Sequence, residues 1–189
     1  MDADFSIELG NGDPVLDLPW SDPAGKLVYF DLKTHPELIS QVDEAGRFPE
    51  LGEFLRLVNS ERSQFESAKC DVWTTTELSA EEETFAASHK FASYVDMVFS
   101  NLEDREFLPA HEVLARRLAT LLQSAPEISS SVEVCVRRLF FQEEREPREG
   151  FYCTLYVNGY GSDESSARQQ WGIGLKLVRN AIAQLSADG

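Results

Sequence analysis

Arg137 and Arg138 stand side by side inside a run of apolar residues. Alternation along a strand sends one of them to each face of a sheet, so one guanidinium projects where a core residue is expected. A charge in that place needs a carboxylate or a ligand beside it. Asp71 and Asp96 also interrupt apolar strands, and they are the candidate partners. A structural ion pair, or an exposed face on which arginine stems lie over Tyr152 and Tyr156, accounts for the same pattern. Trp73, Asp96, Arg138, Tyr156 and Tyr160 are taken together as the candidate ligand or partner face.

Other chemistry-bearing residues assign less. Gly159-Tyr160-Gly161 precedes a helix, where backbone N–H groups can hold an anion. The dinucleotide fingerprint then requires a glycine at position 164, which is Glu164. Asp163 and Glu164 would also repel a phosphate, so the glycines are expected to shape a turn. His35, His89 and His111 have no metal-ligand spacing, and no GxSxG nucleophile elbow occurs. Cys70, Cys135 and Cys153 all fall in predicted strands, where a thiol behaves as a small hydrophobe. No catalytic residue, cofactor or metal ligand is assigned.

Charge narrows the partners. With 33 acids against 17 bases the net charge is −16. Such a field disfavours phosphate backbones and anionic membrane surfaces, and it speaks first to keeping a protein in solution. A mimic of nucleic acid and an inhibitor that docks on a basic partner are the sharper readings. The three cysteines form no CxxC pair, and the first residues are neither basic nor apolar. Together with the lack of a long apolar run, these features predict a cytoplasmic protein without a disulfide framework.

The elements that position these residues follow from periodicity. Phe5, Ile7 and Leu9 alternate, Gly10–Pro14 signals a turn, and Val15–Leu18 reads as the returning arm of a hairpin. Leu27–Phe30 reads as a further strand. Two short helices follow, one opening at Pro36 with Thr34 as cap and Gly46 as its stop, the other from Pro49 to Val58. Glu61–Glu66 is expected to be a loop. Lys69–Leu78 and Phe91–Phe99 are predicted strands, separated by a capping box at Ser79–Glu82 and a short helix over Ala80–Ala87. A helix spans Leu108–Ser124.

The last third repeats that order, with strands at Val132–Glu143 and Phe151–Gly159 and a helix from about Ser162 to Ser186. Gly172 and Gly174 inside this helix imply close approach to the sheet, or a kink. The apolar stripes of the two units do not superpose without a gap, so the repeat is one of architecture.

The expected fold is α+β: an antiparallel sheet covered on one face by two long helices, with a β-rich N-terminal extension. One domain is expected over 1–189, divided into 1–60, 67–126 and 131–187. The first functional expectation is an acidic interaction protein, binding another protein or forming a sheet-face homodimer. The second is a small-ligand carrier using the Arg/Tyr/Trp face. The third is an enzyme with a site assembled from Asp96, Arg138 or a cysteine.

Overall fold

The computed structural model describes residues 1–80, 82–143 and 146–187, with backbone alone at 83, 84 and 187. Its six strands are β1 (Asp2–Glu8), β2 (Val15–Leu18), β3 (Phe65–Thr75), β4 (His89–Phe99), β5 (Ser130–Glu143) and β6 (Glu146–Gly161). Five helices join them: α1 (Asp43–Arg47), α2 (Pro49–Val58), α3 (Leu102–Glu106), α4 (Leu108–Gln123) and α5 (Glu164–Ala187). The sheet runs β1-β5-β6-β4-β3, with β2 also on β5. The class is α+β, and strand–strand–helix occurs twice, as β3-β4-α4 and β5-β6-α5.

Strands β3 to β6 are antiparallel, but the sheet as a whole is mixed. β1 and β2 do not form the expected hairpin; both run parallel to β5 along one edge. Glu8 lies opposite Arg137 and Val15 opposite Arg138, so six residues, 9–14, loop out while β5 advances by one. Asp13 ties that loop by accepting from Gly10 N at 2.6 Å. The arrangement covers the β5 edge and turns Leu16 and Leu18 onto the same sheet face as Leu139 and Phe141.

The main core lies beneath the helices. Val132, Val134 and Val136 of β5, Cys153, Leu155 and Val157 of β6, and Phe91, Val95 and Met97 of β4 point toward Leu118 and Leu122 of α4 and Trp171, Leu175 and Val178 of α5. Ser93 shares this face, and its hydroxyl accepts from Trp171 Nε1 at 2.8 Å, so neither polar atom is stranded. Gly174 does mark close approach, since a Cβ there would meet Ser130 Oγ at 2.3 Å. Gly172 does not; its nearest neighbour would be Glu50, at 3.7 Å.

Gly159 and Gly161 belong to β6 rather than to a turn. A Cβ on Gly159 would lie 2.1 Å from Trp171 N and 2.3 Å from Ala167 O, so the glycine lets α5 settle directly on the strand.

Other boundaries move for local reasons. Leu27–Phe30 forms no strand, only a bridge between Ser21 and Val28, because this segment crosses the second sheet face instead of pairing. Trp20 and Tyr29 pack there against a smaller cluster of Leu16, Leu18, Ala68, Val98, Leu139, Phe141 and Tyr152. Pro36–Gln41 is a 3-10 turn entered from His35, with no side-chain cap from Thr34. Thr34 bonds back to Asp31 instead, and Gly46 lies inside α1. Phe65 and Glu66 extend β3 into the expected loop.

The edge of β3 there is sealed. Lys33 Nζ donates to Phe65 O at 3.1 Å, Ser67 N donates to Asn59 Oδ1 at 2.9 Å, and Trp20 Nε1 donates to Ala68 O at 2.6 Å. The Ser79–Glu82 capping box forms, but a 3-10 turn at Glu82–Phe85 stands where the helix was expected. Glu81, Glu144 and Arg145, which belong to the expected helix and hairpin tip, lie outside the described residues. No helix among the described residues is long and apolar enough to cross a membrane.

Candidate functional site

The sheet has a second face, away from the helices, and its two ends differ. Strand register sets out cross-sheet rows on this face. One row is Asp4–Glu133–Tyr156–Tyr94–Asp71, and the next is Asp2–Ser131–Asn158–Ala92–Trp73. Ser131, Asn158 and Ala92 are small, while the flanking rows carry tyrosines, and Phe85 stacks on Tyr160 at 4.1 Å. Small residues between large ones make a trough, with a volume of about 550 Å³. Its lining includes Asp2, Asp4, Glu133, Trp73, Tyr156 and Tyr160.

Beside the trough runs a buried polar chain. Arg137 Nε donates to Glu8 Oε2 at 2.7 Å, and its Nη1 donates to Thr154 Oγ1 at 2.9 Å and Tyr156 OH at 3.1 Å. Thr154 in turn donates to Asp96 Oδ1 at 2.7 Å. Burial pushes the Asp96 carboxyl up to about 6, offset only in part by the Thr154 bond and the Arg137 charge. Burial opposes the Arg137 charge, but bonds to Tyr156 and Glu8 outweigh it and hold the guanidinium above its ordinary range. The chain ties β1 to the middle of the sheet and fixes the Tyr156 hydroxyl. Tyr156 lies 6.0 Å from Tyr94, which lies 6.3 Å from Trp73, giving an aromatic series across three strands.

On β6, Tyr160 OH donates to Glu82 Oε1 at 2.9 Å and bonds to Ser131 Oγ of β5 at 2.9 Å. Glu82 also forms an ion pair with Lys90. The Glu82 carboxylate is therefore already answered by a cation. At the β1–β5 end, Asp2, Asp4 and Glu133 form no ion pair among the described residues. Excess negative charge is concentrated there.

Four of the five predicted face residues, Trp73, Asp96, Tyr156 and Tyr160, lie on this face. The fifth is corrected: Arg138 is exposed on the opposite face, and Arg137 is the inward arginine. The single-residue offset follows from Val132, Val134 and Val136 turning toward the helices, which puts Arg138 in their phase. A cluster of Asp96 and Arg138 therefore does not exist. Asp96 does find the arginine strand, through Thr154, whereas exposed Asp71 bonds Val72 N of its own strand at 2.7 Å.

The cysteines divide in the same way. Cys153 is in the main core and Cys135 is buried on the second face; burial pushes both thiols up to about 12. Neither is activated as a nucleophile. Cys70, half-buried on β3, is also pushed up to about 12 by burial. His111 is buried in α4 between Phe99 and Phe151, its ring 4.8 and 5.7 Å from theirs, as a packing residue.

Glu8, Glu133 and Cys135 place one potential ligand atom each within 4.8 Å of one another. Glu8 is already committed to Arg137, so this group is not an open ligand set.

Sequence reasoning missed Asp2, Asp4 and Glu133. Their signal was available in the alternation of β1 and β5, once β1 is placed beside β5. A separate apolar groove of about 230 Å³, beside Trp20, Leu27 and Leu32, shows no feature that identifies an occupant. Comparison with known proteins adds no relative: no protein-family model, curated protein or solved structure matches this chain.

Proposed function

We propose that this chain is an acidic interaction protein whose open sheet face holds a positively charged segment of another protein. The observation that carries the reading is the trough, where Asp2, Asp4 and Glu133, with no ion pair among the described residues, lie on the side of Tyr156 away from Trp73. Carboxylates supply long-range attraction, and aromatic faces hold a cation once it arrives. The net charge of −16 adds steering toward a basic partner.

Calorimetric titration with a hexa-arginine peptide tests this. Binding is expected at low salt and is lost at high salt. Asp4→Asn combined with Glu133→Gln weakens it, whereas Glu103→Gln combined with Glu127→Gln, an equal charge change elsewhere, leaves it near the parent value. Equal losses in the two double variants, or no binding at low salt, would overturn the reading.

A further inference from the structure

The trough's two ends have different chemistry. At the β1–β5 end, Asp2, Asp4 and Glu133 carry negative charge with no described cation paired to them. At the β3–β4 end, Trp73 is 36% exposed and leans on Tyr94. Of the charged groups that line the trough beside it, Lys90 and Glu82 are paired with each other, and Asp71 lies outside the lining. A second cation finds little there; an aromatic side chain finds a ring to pack against.

We propose that the trough is bipartite, taking an extended partner segment with a basic side chain over Asp4 and Glu133 and an aromatic side chain against Trp73, four residues apart. This rests on the basic-partner reading and adds the grammar of the ligand. The spacing comes from the sheet. From β5 through β6 and β4 to β3 there are three strand intervals. At roughly 4.8 Å each they span roughly 14 Å. An extended peptide advances roughly 3.4 Å per residue, so four residues cover the distance. Side chains four apart also point the same way, and both enter the trough.

Peptides of one composition test the spacing. Arg-Ser-Gly-Ser-Phe and its reverse sequence have the proposed separation; Arg-Phe-Ser-Gly-Ser and its reverse do not. With blocked termini, at least one spaced peptide is expected to bind about tenfold tighter than the adjacent pair, in keeping with one aromatic contact. Trp73→Ala should abolish that advantage while leaving salt-dependent binding, and Asp4→Asn with Glu133→Gln should weaken all the peptides. Equal affinity for spaced and adjacent peptides, undetectable binding of both, or an advantage that survives Trp73→Ala overturns the bipartite trough. If hexa-arginine binding still depends on Asp4 and Glu133 in those cases, the basic-partner reading stands alone. If it does not, both fall.

Discussion

The second sheet face is one surface used in two ways. Around Leu139, Phe141, Tyr152 and Val98, and Leu16 and Leu18 of neighbouring β2, it is roofed by the segment carrying Trp20 and Tyr29. Around Tyr156, Asn158 and Trp73 that roof is missing, and the same strands present aromatic rings, hydroxyls and carboxylates. Glu66 shows what the roof does to a charge. It is drawn into the covered end, where burial raises its pKa, and Arg105 answers it at 3.0 Å. Glu133 at the open end has no such partner among the described residues. A charge kept in water does not need one, so it remains free for a visitor.

Three substitutions break this comparison in descending order of effect. Leu139→Ala in the covered end removes a fully buried side chain and leaves a cavity between the sheet and its roof. Chemical denaturation should show a loss of roughly 2–5 kcal/mol. Partial collapse of the β2 segment would place the value at the lower limit.

Asp96 lies between the two ends, and its effect depends on pH. Its folded pKa is raised from 3.8 to about 6, so the native state binds the proton more tightly than the unfolded chain. Stability from this group therefore falls as pH rises from about 4 to about 6, by about 3 kcal/mol, and is constant above that window. Asp96→Asn, which still offers Thr154 a carbonyl acceptor, removes the dependence. Stability measured for both proteins across that range should diverge toward higher pH, with the variant the more stable at neutrality. Parallel curves would mean that Asp96 is not held in a desolvated site.

Trp73→Ala at the open end should change unfolding free energy by no more than about 0.5 kcal/mol, as expected for a partly exposed surface residue. A loss comparable to that at Leu139 would show that the open end is structural after all.

Periodicity revealed a good part of this. The α2, α4 and α5 stripes, the β4 alternation and the β5–β6 pairing were legible because each element satisfies its own period over many residues. The N-terminal strands were not, since Gly10–Pro14 signals a reversal equally well whether the next strand returns on the first or slides along a third. Only the long-range partner, β5, decides that. Arg137 and Arg138 show a related limit. Alternation says that one points inward but not which one, and a phase error of one residue exchanges the faces. The trough depends on register across five strands, which local sequence does not carry. Its carboxylates were therefore visible as charge and invisible as a site.

Gly159 has a bearing on the trough although it faces the other way. It brings the α5 backbone onto β6 so closely that the strand is gripped from above, while Arg137 and Thr154 fasten it from below. Tyr156, Asn158 and Tyr160 ride on that strand. A surface anchored on both sides surrenders little freedom when a ligand arrives, so the entropic cost of association falls on the visiting segment. Stiffening that segment before it binds, by cyclisation for example, should therefore raise its affinity more than any further tightening of the protein.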